Sequence, residues 1–244
     1  EYVAMKNLLD DLKQEIHVWY CDPRLIQQAS KLKAYESVLS DEEVEKYQRF
    51  HFDKDRHNYL VSHALLRYSL SLYADIPASN WRFEKSEHGK PALVLPAAMP
   101  AISFNLTHTE GLAACVVAVD KACGIDAENR NRNNRLSAVA GRMFADEEIE
   151  LLRKQDMQRH FFYYWTLREA YVKALGSGLS GSSKEFYFDV DLDGMSAMLC
   201  HRDRRRVADN SWQFRLYEPT PENVVSVAYK SSDPIKIKLR EFIP

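Results

Sequence analysis

The run Leu112-Ala-Ala-Cys-Val-Val-Ala-Val119 decides the fold, together with Gly124-Ile-Asp-Ala-Glu128 shortly after it. The first run is apolar at every position, which predicts a central β-strand buried on both faces. Asp120 and Lys121 form a turn, and the second run predicts another short strand. Helix and strand patterns occur in the same coarse order before and after this point. We therefore predict an α+β protein of two similar halves (a pseudo-twofold), residues 1–122 and 123–244, each a small sheet packed with a long helix.

Local patterns predict the other elements. Ser40 followed by acidic residues predicts the start of a helix. Apolar residues at three-to-four spacing continue that helix from about Glu42 to Tyr73, with a break near Phe52. The remaining predicted strands cover residues 16–20, 81–84, 101–105, 186–190, 212–217 and 224–229, and the remaining predicted helices cover residues 136–143, 146–154 and 159–175.

Composition excludes several classes of protein. Thirty-three Lys and Arg residues against 35 Asp and Glu residues give a net charge of -2, which argues against a nucleic-acid-binding protein with its basic surface. The longest apolar run is far shorter than the roughly 20 residues that cross a bilayer. No secretory signal and no Cys-x-x-Cys pair is visible, so we expect a reduced, soluble, cytoplasmic protein. The sequence begins at Glu1 rather than Met, which leaves the natural start of the chain open.

Asp126 and Glu128 form the first candidate site. Two residues apart on a strand, their side chains point from the same face, while Ile125 and Ala127 point into the core. Two carboxylates aimed together repel each other unless water or a cation lies between them. The alternative is an exposed strand end with two solvated acids, since short Asp-x-Glu matches are common by chance.

Glu169 and Lys173 form the second candidate site, in the segment from Trp165 to Gly176. Four residues apart on a helix, they share one face. The ordinary interpretation is a surface ion pair near a glycine helix stop. The functional interpretation makes Glu169 a third metal carboxylate or a base, with Lys173 placed to meet an anion.

The segment from Phe104 to Gly111 is the third candidate site. We expect a loop whose Thr107 hydroxyl, His108 imidazole and backbone N–H groups suit a phosphate. The alternative is a polar turn in which Asn105 and Thr107 satisfy their own backbone. No second His or Cys lies at ligand spacing from His108, so we do not expect zinc.

These three segments, in this order, resemble the motif set of the 4′-phosphopantetheinyl transferases. The separation best resembles the large, monomeric, surfactin-synthetase-activating type. His88-Gly-Lys-Pro91 resembles an upstream family motif, and the segment from Lys46 to Arg67 resembles the N-terminal helical region. The resemblance covers about residues 40–180. Two departures are Thr107, where Ser is commoner, and Arg168, where Lys is usual.

The resemblance implies an enzyme of the holo-[acyl-carrier-protein] synthase type. Such an enzyme moves 4′-phosphopantetheine from coenzyme A to a serine of an apo carrier protein and releases adenosine 3′,5′-bisphosphate. It implies Mg²⁺, with Mn²⁺ as the alternative, held by Asp126, Glu128 and Glu169. Glu169 is the candidate base and Lys173 the contact to the pyrophosphate. The other residues implied to contact coenzyme A are Lys46, Arg56, Lys90, Thr107 and His108.

The resemblance implies that the second substrate is an apo acyl, polyketide or peptidyl carrier protein and that the enzyme is a monomer. Arg130, Arg132 and Arg135 precede a helix, Leu136–Met143, with a small apolar patch. A basic rim beside an apolar patch suits docking of an acidic carrier helix. The alternative is a polar loop leading into a core-facing helix. We interpret the basic run from Arg202 to Arg206 as a solvated turn.

Two other functions stay open from the sequence. A Mg²⁺-dependent phosphoesterase or nuclease would use the same three acids, and it would hydrolyse coenzyme A or nucleic acid without a carrier. A non-catalytic module would bind coenzyme A or a carrier and would tolerate loss of Glu169. The sequence does not say which carrier protein or pathway is served, or whether acyl-coenzyme A is accepted.

Overall fold

The computed structural model describes residues 8–85, 89–97, 99–132, 136–154, 156–176, 184–203 and 207–244. It divides into two compact units. The first contains residues 1–86, 91–120 and 235–244, and the second contains residues 87–90 and 121–234. The predicted division after residue 122 differs from this in three respects. It placed residues 87–90 in the first half and residues 235–244 in the second half, and its boundary follows residue 122 instead of residue 120.

The elements follow in chain order. The first unit begins with β1 (Glu15–Cys21), α1 (Ala29–Glu36), α2 (Asp41–Gln48), α3 (Asp53–Leu70), β2 (Phe83–Lys85), β3 (Pro91–Leu93), β4 (Ile102–Thr109) and β5 (Leu112–Val119). The second unit contains β6 (Cys123–Asn129), α4 (Leu136–Met143), α5 (Asp146–Lys154), α6 (Met157–Leu175), β7 (Phe186–Asp191), β8 (Ser196–His201), β9 (Val207–Ala208), β10 (Trp212–Thr220) and β11 (Asn223–Lys230). The last strand, β12 (Lys236–Glu241), returns to the first unit.

The main sheet of the first unit has four strands in the order β12-β1-β5-β4, and β2 and β3 form a separate two-stranded sheet. β5 lies between two strands and is buried at all eight positions, so the prediction of a central strand is confirmed. The long helix α3 packs on this sheet. The predicted helix break is also confirmed, since α2 ends at Gln48 and α3 begins at Asp53. Ser40 caps α2 in a capping box with Glu43.

The second unit is a sheet in the order β6-β11-β10-β8-β7, with β9 paired to β8. The long helix α6 packs on β6, β11 and β10. Its N-cap Asp156 accepts hydrogen bonds from two backbone N–H groups, and its C-cap Gly176 has φ +71°. The predicted glycine stop is therefore confirmed. The α+β class and the pairing of one sheet with one long helix in each unit are confirmed as well.

One predicted loop is a strand. The segment from Phe104 to Thr109 lies in β4, and the turn is confined to Glu110 and Gly111, where Gly111 has φ +79°. Pairing with the fully buried β5 holds these polar residues in extended conformation despite their turn-like sequence. α1, β3, β8, β9 and β12 were not predicted.

None of the helices in the described part of the chain combines the length and the apolar character that a membrane-spanning segment needs. All four cysteines are buried as free thiols.

Candidate functional site

Gly124 brings β6 into close contact with α6. A Cβ atom at this position would lie 2.1 Å from the carbonyl oxygen of Ala170 and 2.5 Å from the backbone nitrogen of Ala174. Only glycine fits such an approach without a shift of the backbone. The strand that carries Asp126 and the helix that carries Glu169 are thereby held against each other.

Asp126 is buried, with 6% of its surface exposed. Its Oδ1 atom accepts a hydrogen bond of 2.6 Å from Nζ of Lys173, which also donates to the carbonyl oxygen of Ile125 at 3.2 Å. Burial raises the pKa of Asp126 to about 6, the Lys173 charge opposes the rise, and the charges of Glu128 and Glu169 add to it. The alternative of two solvated acids is therefore wrong for Asp126.

Glu128 and Glu169 lie within electrostatic range of each other. Burial raises the pKa of Glu169 above its usual range, Lys173 opposes this rise, and the charge of Glu128 adds to it. The Glu128 side chain is 13% exposed, and both of its oxygens lie 3.1 Å from Nη1 of Arg132. The structure therefore brings together three acids, Lys173 and one arginine.

The chemistry of this donor set fits a divalent cation. Carboxylate oxygens are the protein ligands that Mg²⁺ prefers, and like charges at short range oppose folding unless a cation compensates them. In the described ranges, no group of three or more His, Cys, Asp or Glu side chains is arranged closely enough to hold a metal ion. The metal roles of Asp126, Glu128 and Glu169 therefore stay predictions.

Lys90 also belongs to the second unit. Its Nζ donates hydrogen bonds to the carbonyl oxygens of Cys123 at 3.0 Å and Ala174 at 3.2 Å. Burial lowers the pKa of Lys90. Its methylene groups also lie against Gly176, where an added Cβ would be 3.0 Å from Cδ of Lys90. Lys90 thus joins the end of α6 to β6, and His88 of the same motif lies outside the described residues.

The first unit carries the other predicted coenzyme A contacts. Nζ of Lys46 lies 5.3 Å from the centre of the Tyr59 ring. Arg56 donates to the carbonyl oxygen of Phe50 at 2.9 Å and lies 3.2 Å from a carboxylate oxygen of Asp53. Lys46 is exposed, whereas the Arg56 guanidinium group already binds residues at the start of α3.

Thr107 and His108 lie on β4, opposite Ala114 and Ala113 of β5. Thr107 is buried, with 5% of its surface exposed, and His108 is exposed. The two side chains lie on opposite faces of the strand because successive residues alternate. A phosphate contact through both would therefore use the His108 side chain and backbone groups near Thr107.

The predicted docking residues differ in their surroundings. Arg130 forms an ion pair with Glu218, donates to the Tyr163 hydroxyl at 2.9 Å, and has a side chain only 16% exposed. Leu136 and Ala140 belong to the hydrophobic core, so the predicted apolar patch on α4 mostly faces inward. Arg132 is exposed, and Arg135 lies outside the described residues.

Sequence reasoning missed the partner of Arg168. This residue forms an ion pair with Glu148 of α5, and both side chains are almost completely buried. The departure from Lys at position 168 was visible, but nothing local in the sequence indicated that Glu148 would face it.

Comparison with known proteins shows the family of this chain. The chain matches the 4′-phosphopantetheinyl transferase superfamily over residues 122–228. It matches the N-terminal part of 4′-phosphopantetheinyl transferase over residues 27–120. The 4′-phosphopantetheinyl transferase HetI of Nostoc sp. is 34% identical over 172 residues, which cover 69% of this chain and 72% of HetI.

Two further similarities differ in strength. The 4′-phosphopantetheinyl transferase Sfp of Bacillus subtilis is 29% identical over 184 residues, covering 74% of this chain and 78% of Sfp. The crystal structure of Thermotoga maritima holo-[acyl-carrier-protein] synthase is 24% identical with a TM-score of 0.36, covering 46% of this chain and 64% of that chain.

The matches to HetI and to the superfamily define the class of protein as a transferase of phosphopantetheine. The chain belongs to the 4′-phosphopantetheinyl transferase superfamily and is Sfp-like within it. The resemblance drawn from the motifs and the prediction of an enzyme of this class are therefore confirmed.

Proposed function

We propose that this enzyme transfers 4′-phosphopantetheine from coenzyme A to a serine of an apo carrier protein in a reaction that needs a divalent cation. The observation that carries the proposal is the ion pair between buried Asp126 and partly buried Lys173, with a distance of 2.6 Å, beside Glu128 and Glu169. The family membership supports the reaction class. Adenosine 3′,5′-bisphosphate is the product that the same bond cleavage releases.

The reaction moves one phosphoryl group. The serine oxygen forms a bond to the β-phosphorus of coenzyme A, and the bond from that phosphorus to the bridging oxygen breaks. The electron pair stays with the leaving adenosine 3′,5′-bisphosphate. Positioning and charge stabilisation dominate such a reaction, because the protein contributes little covalent chemistry.

Glu169 is the proposed base. Burial raises the pKa of Glu169, which brings a carboxylate closer to the operating pH of a general base. Its carboxylate would accept the proton of the carrier serine directly or through one water. Asp126, Glu128 and Glu169 would hold Mg²⁺ or Mn²⁺, which would neutralise charge on the diphosphate when bound.

Lys173 is the proposed contact to the diphosphate. In the structure its ammonium group neutralises Asp126, and its side chain is 30% exposed. A cation that compensates Asp126 would leave the Lys173 charge to an anionic substrate. Lys173 thus has two proposed roles: it neutralises Asp126 in the absence of a cation, and it contacts the diphosphate in the reaction.

The nucleotide contacts belong to the same proposal. His108 and the backbone near Thr107 would bind the 3′-phosphate of coenzyme A, and exposed Lys46 would add a second positive charge. Arg56 and Lys90 stay candidates, although each already donates to backbone carbonyl groups. Phosphate contacts of this kind are charge-assisted hydrogen bonds, which are stronger than neutral ones.

Carrier docking is proposed at residues 129–143. Exposed Arg132 and Arg142 provide positive charge at the two ends of this segment, and Arg135 lies between them in sequence. Arg130 and the buried residues of α4 would support this surface rather than contact the carrier. A basic surface favours an acidic partner chiefly through the association rate. We also propose a cytoplasmic, monomeric enzyme.

The test is the mass of the carrier. The protein is incubated with coenzyme A, Mg²⁺ and an apo carrier protein, and the carrier is weighed by mass spectrometry. The proposal expects a gain of one phosphopantetheine. Hydrolysis of coenzyme A without a mass gain would indicate a phosphoesterase, and binding without reaction would indicate a non-catalytic module.

A further inference from the structure

Arg132 lies beside one of the proposed metal carboxylates. Its Nη1 atom is 3.1 Å from Oε1 and 3.1 Å from Oε2 of Glu128. A single nitrogen therefore spans both oxygens, in contrast to the two parallel hydrogen bonds of an arginine fork. The pair is close but lacks the geometry of the strongest arginine–carboxylate contacts.

The turn after β6 holds Arg132 in this position. The backbone N–H of Asn131 donates to Oδ1 of Asn129 at 2.8 Å, and the N–H of Arg132 donates to the Asn129 carbonyl at 3.2 Å. The N–H of Arg130 donates to the carbonyl of Glu222 at 2.8 Å. These bonds reverse the chain so that Arg132 returns toward the strand that carries Glu128.

The two basic partners of the acids differ in burial. The side chain of Arg132 is 58% exposed, whereas that of Lys173 is 30% exposed and its partner Asp126 only 9%. Glu128 is only 13% exposed, but the exposed Arg132 leaves this ion pair open to water and salt. Screening and the cost of ordering the arginine side chain therefore weaken the pair. Glu128 can therefore exchange its partner more easily than Asp126 can.

We propose that Arg132 is an exchangeable counter-ion of Glu128. It neutralises Glu128 while no divalent cation is bound and gives up that carboxylate when a cation binds. This inference rests on the metal role of Glu128 in the proposed function. It assigns to Arg132 a role in setting metal affinity, in addition to any contact with the carrier.

The experiment measures Mn²⁺ binding by the full chain without coenzyme A or carrier. Free Mn²⁺ is followed by electron paramagnetic resonance for the wild type, Arg132→Gln and Arg153→Gln. Arg153 is exposed on α5, so its substitution removes the same charge away from Glu128. Circular dichroism checks that each variant is folded. The Mn²⁺ affinity of Asp126→Asn tests whether the proposed metal site exists.

Arg132→Gln is expected to bind Mn²⁺ about two- to fivefold more tightly than Arg153→Gln, which is the fold-change that corresponds to an ion pair open to solvent at one end. The difference is expected to shrink in 1 M salt, because the contact is screened. Equal or weaker binding by Arg132→Gln would overturn the inference, even if Asp126→Asn loses Mn²⁺ and the proposed site stands. If Asp126→Asn keeps wild-type affinity, the metal site of the proposed function itself fails.

Discussion

Arg168 and Glu148 form an ion pair in which the two side chains are only 3% and 0% exposed. The Glu148 carboxylate also accepts hydrogen bonds from the backbone N–H groups of Ala145 at 3.0 Å and Phe188 at 2.9 Å. Arg168 in turn donates to the carbonyl oxygen of Phe186 at 3.0 Å. One carboxylate thus joins the start of α5, the strand β7 and the helix α6 next to the proposed base.

Breaking this pair is expected to destabilise the protein strongly. Arg168→Met leaves the Glu148 charge buried without its partner, which costs about 3–5 kcal/mol. Arg168→Lys keeps the positive charge, so this variant should lose clearly less of the free energy of unfolding. Urea denaturation measures both free energies of unfolding. A loss below about 1 kcal/mol for Arg168→Met would show that the pair does not hold these elements together.

Substitution of Gly124 tests the contact between β6 and α6. The Cβ of Gly124→Ala would lie 2.1 Å from the Ala170 carbonyl oxygen, so backbone must move. Overpacking of this kind lowers the free energy of unfolding by about 1–3 kcal/mol or more. The backbone shift should also reduce the rate of phosphopantetheine transfer. Gly141→Ala on α4 is the control for stability alone, because no atom outside its own part of the helix lies within 4 Å of the new Cβ. It should be neutral or stabilising by up to about 1 kcal/mol.

Glu43 is expected to make the protein less stable as the pH is lowered into the acidic range. Burial opposes ionisation, but hydrogen bonds from His63 and Ser40 and the Arg67 charge lower the pKa of Glu43 to about 2. Because the pKa of Glu43 is lower in the folded state than in the unfolded state, ionised Glu43 adds to the free energy of unfolding. This contribution, about 2–3 kcal/mol, is complete above about pH 5 and is lost as the pH falls toward 2.

The measurement compares the wild type with Glu43→Gln across that pH range. The difference in the free energy of unfolding should be constant above about pH 5 and should shrink toward pH 2. A difference that does not change with pH would mean that the Glu43 carboxylate is not the group that titrates.

His108→Ala tests the contact to the 3′-phosphate. Loss of a charge-assisted hydrogen bond should weaken coenzyme A binding by about 1.5–3 kcal/mol. The loss should be much smaller with 3′-dephospho-coenzyme A, measured by calorimetry. His51→Ala, another exposed histidine of the first unit, is the control. Equal losses with both ligands would remove His108 from this role.

Local patterns were sufficient for every long helix, although they missed the short helix α1, and for the strands with a continuous apolar sequence. α4 and α5 have the predicted bounds, and Ser40 forms the expected cap with Glu43. β12 was missed because its stability depends on parallel pairing with β1, more than 200 residues earlier in the chain. β4 was predicted too short because the polar residues near its end favour turns, and pairing with β5 overrides that preference.

The residues of the candidate site were predictable from local sequence, whereas their surroundings depend on contacts between distant parts of the chain. Asp126, Glu128, Glu169 and Lys173 were chosen from spacing within a strand and a helix, and the structure places them on packed elements. The burial of Asp126 depends on the approach at Gly124, which spacing does not show. The same is true of Arg130, whose partner Glu218 lies on a strand far along the chain.

The most direct test of the account is the transfer rate of Glu169→Gln, followed as the mass gain of an apo carrier with coenzyme A and saturating Mg²⁺. Glu150→Gln is the matched control, since Glu150 is an exposed glutamate paired with Lys154 on α5. Loss of a general base should slow Glu169→Gln by about 10²–10⁴-fold, while Glu150→Gln keeps the wild-type rate and both variants stay folded. A Glu169→Gln enzyme that transfers phosphopantetheine at nearly the wild-type rate would contradict the account.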